Sequence, residues 1–258
     1  MPVTSDVDRP ETAPDGPALP VNELFASLQG EGKLAGVPST FVRTSGCNLR
    51  CWFCDSYHTS WEPTHAWLSV ADVVSEVHAR DPSHVVLTGG EPTIHDESFE
   101  LLRRLGDEYH LTVETNGTVV PPADVPIDLA SVSPKLASST PTPERAPDGA
   151  DAGDWAERHE AARVDVDALA TLVDRYDSQL KFVVTGRDDV AEVVDLVERV
   201  RAAASVPVPD TDVLLMPEGR TREQLAGTRT TVAELAAEYG FRYTPRIHVD
   251  LWNDAPET

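Results

Sequence analysis

Lysine is nearly missing from this 258-residue chain: Lys33, Lys135 and Lys181 are the only three among 21 basic residues, set against 44 acidic ones. Nucleic-acid binding rests on clustered Lys and Arg that neutralise phosphates. A net charge of -23 repels such a partner, so no nucleic-acid substrate is expected. Acidic, lysine-poor surfaces suit a cytosol at molar salt, where the Debye length falls to about 3 Å and self-repulsion is screened. The composition therefore reads as a halophile's, with the cytoplasm as the expected location. Long apolar runs are missing too. None approaches the roughly 20 residues that span a bilayer, so no membrane association is expected. Cysteine is as scarce as lysine, at three. An odd number packed into one loop, behind no secretory-type leader, does not read as a disulfide framework.

Those three are Cys47, Cys51 and Cys54, spaced Cys-x3-Cys-x2-Cys within Gly46-Cys47-Asn48-Leu49-Arg50-Cys51-Trp52-Phe53-Cys54-Asp55. Three clustered thiolates hold three corners of a cubic iron-sulfur cluster, and no fourth cysteine closes the last corner. The iron left open can bind a small molecule through that molecule's own donor atoms, which is the chemistry of a reactive cluster rather than a sealed electron carrier. A zinc site is the competing reading, because His58, four residues beyond Cys54, supplies a fourth ligand near the usual spacing. Zinc ligands usually arrive as two separated pairs, whereas spacings of three and two make one loop that wraps a cluster corner.

Residues 1–20 carry five prolines with Asp, Glu and Thr and no apolar period, and are expected to be a disordered tail. From Val21 onward, β-branched apolar runs predict strands at 40–44, 84–88, 111–114, 129–133, 180–185, 213–216 and 246–251. Helical periodicity predicts helices at 70–79, 98–109, 166–176, 190–204 and 231–239. Strand and helix in alternation imply parallel strands with right-handed crossovers, hence an α/β fold. We expect a partial, incomplete TIM-like barrel with flanking helices, forming one domain over 21–258. The stretch 137–163, rich in Pro, Asp, Glu, Gly and Ala, reads as an acidic surface insertion.

In parallel α/β folds, ligands sit at the carboxyl ends of the strands. Here those ends are polar or glycine-rich. Thr88-Gly89-Gly90-Glu91-Pro92 offers amides to a carboxylate and carbonyls to an ammonium group. Glu114-Thr115-Asn116-Gly117 suits ribose hydroxyls, and the next end reads Ser133-Pro134-Lys135. Singly these are turn signals. Their placement after successive strands is what turn chemistry does not predict.

With its cysteine loop and Gly-Gly-Glu-Pro strand end, the chain resembles the radical S-adenosylmethionine superfamily and, within it, the 7-carboxy-7-deazaguanine synthase family. The closer likeness rests on Phe25-Ala26-Ser27-Leu28-Gln29-Gly30-Glu31-Gly32, Phe41-Val42-Arg43, Gly46 to Cys51, Cys54-Asp55-Ser56 and the three strand ends, from about Val21 to Trp252. The resemblance implies a 4Fe-4S cluster on Cys47, Cys51 and Cys54. It also implies S-adenosylmethionine on the open iron, cleaved to a 5'-deoxyadenosyl radical, so that no side chain is assigned as catalytic. Gly89, Gly90 and Glu91 would hold the methionine end of that cofactor. Phe53, Cys54, Asp55, Glu114, Asn116, Ser133, Pro134, Lys135 and the segment Met216-Pro217-Glu218-Gly219 would hold the rest.

The family's substrate is 6-carboxy-5,6,7,8-tetrahydropterin, which loses ammonia as its ring contracts to 7-carboxy-7-deazaguanine, a precursor of the tRNA nucleosides queuosine and archaeosine. Arg43 suits its carboxylate, since a guanidinium pairs with one through two parallel bonds. Leu28, Gln29, Gly30, Glu31 and Thr88 would line the pterin. Ser56 stands where the family usually has a threonine that ligates magnesium, and serine keeps the oxygen donor. The family closes its site with C-terminal residues, of which His248, on the expected last strand, is the candidate. An electron donor such as a flavodoxin or ferredoxin, and a homodimer, are further expectations. Two rivals stand beside this: an activase acting on a protein partner, and a non-catalytic metal-binding module. The string from Gln29 to Arg43 argues against the first, and the ligand-suited strand ends against the second.

Overall fold

Along the central strands every second residue is apolar and turned toward helices. Val85 and Leu87, Leu111 and Val113, Ala130 and Val132, Leu180 and Phe182, and Val213 and Leu215 are all buried in the apolar clusters under the helices. The alternating positions Thr88, Glu114, Ser131, Lys181 and Met216 line a cavity instead. Parallel strands covered on both faces normally read as continuous apolar runs. Polar residues on the inner face therefore mark it as a place for a ligand.

The computed structural model describes residues 8–147, 152–253 and 255. Its strands are β1 (Ala18–Leu28), β2 (Pro38–Thr44), β3 (Ala66–Ser69), β4 (His84–Gly89), β5 (His110–Thr115), β6 (Leu129–Val132), β7 (Ser178–Val184), β8 (Val213–Pro217) and β9 (Arg242–Tyr243). They form one open sheet in the order β3-β1-β2-β4-β5-β6-β7-β8-β9. Neighbours are parallel from β2 to β9, while β1 runs antiparallel to both β2 and β3. The helices are α1 (Tyr57–Ser60), α2 (Val70–His78), α3 (Asp96–Leu105), α4 (Gly153–Ala162), α5 (Val166–Arg175), α6 (Val190–Ala203), α7 (Arg222–Tyr239) and α8 (Ile247–Trp252).

Two apolar layers seat the helices on the outer face. Val73 and Val77 of α2 and Leu101 and Leu105 of α3 pack on Val42, Leu87 and Val113. Leu169, Leu196 and Leu235, from α5, α6 and α7, pack around Phe182. Local signals place the helix ends. Ser69 caps α2 by accepting from Asp72 N, and α7 opens on a Thr221–Gln224 capping box and closes at left-handed Gly240.

The expected α/β partial barrel is present, and so are six of the seven expected strands and all five helices, with shifted ends. The cap at Thr221 starts α7 at Arg222 rather than at 231. Strands β1, β3 and β9 were not anticipated. Regular structure begins at Ala18, inside the expected tail, because Ala18–Val21 pair with β3; residues 1–7 lie outside the described residues. The segment 246–251 is helix α8 instead of a strand, so His248 is helical. Its β-branched content suggested a strand, but Ile247 N donates to Gly30 O at 2.9 Å and draws the chain from the sheet edge across the cavity mouth. The insertion 137–163 is not purely surface: Ser139 and His159 are fully buried. Its residues 148–151 lie outside the described residues.

Three expected cofactor contacts, Glu91, Pro134 and Pro217, are not on the cavity wall. Pro134 is buried beyond β6, and Pro217 pairs with Val184 inside the sheet. Glu91 is fully buried, and its carboxylate accepts from Thr93 N (3.1 Å), Thr93 Oγ1 (2.6 Å), Thr115 Oγ1 (2.8 Å) and Asn116 N (2.6 Å). Its own amide donates to Gly46 O at 2.8 Å. Glu91 thus ties the ends of β4 and β5 to the cysteine loop, while burial pushes its pKa up against the pull of these donors. Glu91→Gln replaces one accepting oxygen with an NH2 group that faces donors. It is expected to destabilise the metal-free protein by about 1–3 kcal/mol in urea unfolding. An unchanged midpoint would return Glu91 to the cofactor.

Candidate active site

A cavity of about 580 Å³ opens at the carboxyl ends of the parallel strands, within the range of small-molecule and cofactor sites. Cys47, Cys51 and Cys54 all line it, carried by an irregular loop between β2 and α1. The double glycine lets this loop come close. A Cβ on Gly89 would lie 2.1 Å from Thr44 O, and one on Gly90 2.2 Å from Gly46 O, so neither position admits a side chain.

Burial pushes the Cys47 thiol up, and raises Cys51 to about 12. Binding iron must therefore displace protons from these thiols. Donors for the resulting thiolates are in place: Leu49 N points at Cys47 Sγ (3.4 Å) and Ser60 Oγ at Cys54 Sγ (3.2 Å). Among the described residues no three His, Cys, Asp or Glu side chains gather closely enough to hold a single metal ion. Two thiolates on one zinc lie about 3.8 Å apart at the usual Zn–S length, whereas a cubane spreads its thiolates over separate irons. The donor set fits the cluster and not the zinc site with His58.

Opposite the cysteines lies a wall of paired charges. Glu31 accepts from Lys181 Nζ at 2.5 Å and from Arg246 Nε at 2.9 Å. Arg246 also donates to Gly219 O at 2.6 Å and to Asp55, directly after Cys54. Glu114 accepts from Gln29 Nε2 (3.1 Å) and Thr88 Oγ1 (2.8 Å). Burial alone would push the Glu31 pKa up. Lys181, Arg246 and His248 overcome it and hold this carboxyl well below the usual range. Buried ion pairs contribute little net stability, so recognition is the better account of this wall.

Arg43 stands at the side of the cavity, held by Glu23 (2.9 Å) from its register partner on β1 and lying over the Phe25 ring at 5.7 Å. It donates to Ser56 Oγ at 2.8 Å. His248 reaches from α8 to 3.9 Å from Glu31. A Cβ on Gly30 would fall 1.8 Å from His248 Nδ1, so a side chain there would force the ring to move. Burial lowers the His248 pKa against the pull of Glu31. Lys135 folds back on Ser133, with 2.8 Å contacts to its carbonyl and hydroxyl.

The structure gathers Leu28, Gln29, Gly30, Glu31, Arg43, Phe53, Cys54, Asp55, Ser56, Thr88, Gly89, Gly90, Glu114, Asn116, Ser133, Lys135, Met216, Glu218, Gly219 and His248 around this one cavity. Sequence reasoning missed Lys181 and Arg246. A signal existed for the first: a lysine between Leu180 and Phe182 in an apolar strand of a chain with three lysines.

The Radical SAM superfamily pattern matches residues 41–232. The 7-carboxy-7-deazaguanine synthase of Halobacterium salinarum is 62% identical, with 100% of each chain covered. That of Rhodopirellula baltica is 38% identical over 90% of this chain and 86% of the relative. The crystal structure of QueE from Escherichia coli superposes with a TM-score of 0.61 at 24% identity, covering 90% of this chain and 95% of that one, and so shares the fold. The likeness runs end to end, and the chain belongs to the radical S-adenosylmethionine superfamily and, within it, to the 7-carboxy-7-deazaguanine synthase family.

Proposed function

We propose that this chain converts 6-carboxy-5,6,7,8-tetrahydropterin to 7-carboxy-7-deazaguanine with loss of ammonia. The observation that carries this is the meeting, in one cavity, of a three-cysteine loop with a desolvated charged wall suited to a carboxylated, hydrogen-bonding ring. The family's cofactors, a 4Fe-4S cluster and S-adenosylmethionine, supply the radical chemistry when bound. Cys47, Cys51 and Cys54 would hold the first, and the ends of β4, β5, β6 and β8 the second.

The chain's own part is to bind and orient. Arg43 is fixed by Glu23 and Phe25 before substrate arrives, which lowers the cost of aligning the substrate carboxylate on it. Glu31 spends one oxygen on Arg246 and the other on Lys181, and a carboxylate has lone pairs left for the N–H donors of a pterin edge. Ser56 would offer an oxygen to magnesium, a hard cation that keeps several of its waters. That oxygen accepts from Arg43 at 2.8 Å, so a guanidinium for the substrate carboxylate and an oxygen for the metal stand side by side.

The product would feed archaeosine or queuosine synthesis. The relative from Halobacterium salinarum agrees with an acidic chain working in a salt-rich cytoplasm. Among the described residues no helix is long and apolar enough to cross a membrane. A flavodoxin or ferredoxin as electron donor, and a homodimer, follow from the family rather than from the geometry.

Reconstituted anaerobically, reduced and given the carboxytetrahydropterin, the protein should release the deazaguanine. Cys47→Ala, Cys51→Ala and Cys54→Ala should each abolish the iron-sulfur charge-transfer absorption and all S-adenosylmethionine cleavage. Full iron and cleavage in any one of them would sink the assignment. Arg43→Lys keeps the charge but loses the two-bond geometry, and should weaken substrate binding by about 5- to 150-fold with the cluster intact. An unchanged KM would remove Arg43 from the site. Ser56→Ala should lower turnover and its stimulation by magnesium, and Ser56→Thr should restore both. If the alanine variant still responds normally to magnesium, the metal sits elsewhere.

A further inference from the structure

The segment 137–163 takes no part in the reaction as described, yet two backbone amides of the cysteine loop are tied to it. Arg50 N donates to His159 Nδ1 at 3.1 Å, and Trp52 N to Ser139 O at 3.1 Å. These are the two residues that flank Cys51. The loop has no regular structure of its own, so bonds from the insertion stand in for the ladder it lacks. Ser139 and His159 are both fully buried. A second contact braces the same stretch: the Arg50 guanidinium lies 4.1 Å from the ring centre of Trp155 on α4.

The proton positions follow from these bonds. Because His159 Nδ1 accepts from Arg50 N, the neutral ring carries its hydrogen on Nε2, which donates to Ser139 Oγ at 2.8 Å. Burial keeps the ring neutral, with its pKa pushed down to about 4. The Ser139 hydroxyl gives its own hydrogen to the Leu136 carbonyl at 2.6 Å. Ser139 thus holds the His159 ring by its side chain while its carbonyl takes the Trp52 amide, so the two bonds to the cysteine loop form one unit.

We propose that Ser139 and His159 are positioning residues for the iron-sulfur cluster, with Ser139 holding the His159 ring while the two together fix the backbone amides on either side of Cys51. This rests on the cluster assignment made above. Groups that orient a metal's ligands set how firmly the metal is held. A His159 that only filled the core would be replaced by phenylalanine without loss of iron, and glutamine would restore nothing.

The test uses the full chain, reconstituted anaerobically without S-adenosylmethionine, as wild type, Ser139→Ala, His159→Phe and His159→Gln. Folding is checked by thermal melts of the metal-free proteins, and retention by the rate of iron loss to a chelator. His159→Phe should speed iron loss about tenfold or more. Ser139→Ala, which frees the ring but keeps the Ser139 carbonyl, should speed it less. His159→Gln, whose amide offers both an acceptor and a donor, should recover most of the wild-type rate. A wild-type chelator rate in His159→Phe, or no recovery in His159→Gln, would overturn the inference. If His159→Phe fails to fold, Ser139→Ala decides by its chelator rate alone. A wild type that takes up no 4Fe-4S cluster would instead overturn the cluster assignment itself.

Discussion

Glu31 holds two cations at once, and the shape of the cavity depends on that clamp. Lys181 comes to it from β7 and Arg246 from the start of α8. Arg246 then passes the constraint on to Asp55 beside the cysteine loop and to Gly219 beyond β8. Four segments far apart in sequence are thus held around one carboxylate. Removing one member of a buried ion pair costs about 3–5 kcal/mol, because the partner is left charged and unpaired. The wall is therefore stiff before any ligand arrives, which is what orienting a reactive substrate requires.

The sheet supports this clamp by dividing its labour between faces. Outward residues such as Leu87, Val113 and Phe182 bury against helices and carry the stability. Inward residues at the same strand ends carry Thr88, Glu114 and Lys181 into the cavity. The cysteine loop closes the remaining side, seated on the Gly89–Gly90 turn in front and on the insertion behind. In a chain of net charge -23, Arg43, Lys181 and Arg246 are kept for the interior of the site.

Much of this was legible in the sequence where a local rule applied. The period of two along β4 to β8, the turn glycines and the cysteine spacing all act through neighbours in the chain, and the parallel core and cluster loop follow from them. What was not legible depends on distant contacts. Helix α8 looks like a strand until the Gly30 carbonyl captures Ile247. Glu91 looks like a ligand contact until Thr93, Thr115 and Asn116 are seen to occupy its carboxylate. The insertion looks like surface by composition, yet its one buried histidine reaches the amide beside Cys51. Arg246 gives no sign of its role, because nothing near it in sequence tells which carboxylates it will meet.

The central claim is that one cavity takes the carboxypterin with its carboxylate at Arg43 and its hydrogen-bonding edge at Glu31. An anaerobic crystal structure of the cluster-loaded protein with S-adenosylmethionine and 6-carboxy-5,6,7,8-tetrahydropterin tests it most directly. The account predicts the carboxylate within hydrogen-bond reach of Arg43, the pterin edge against Gln29 and Glu31, and the Glu31–Lys181–Arg246 clamp unmoved. A pterin bound in the opposite sense, with its carboxylate on Lys181 and the clamp broken, would contradict it.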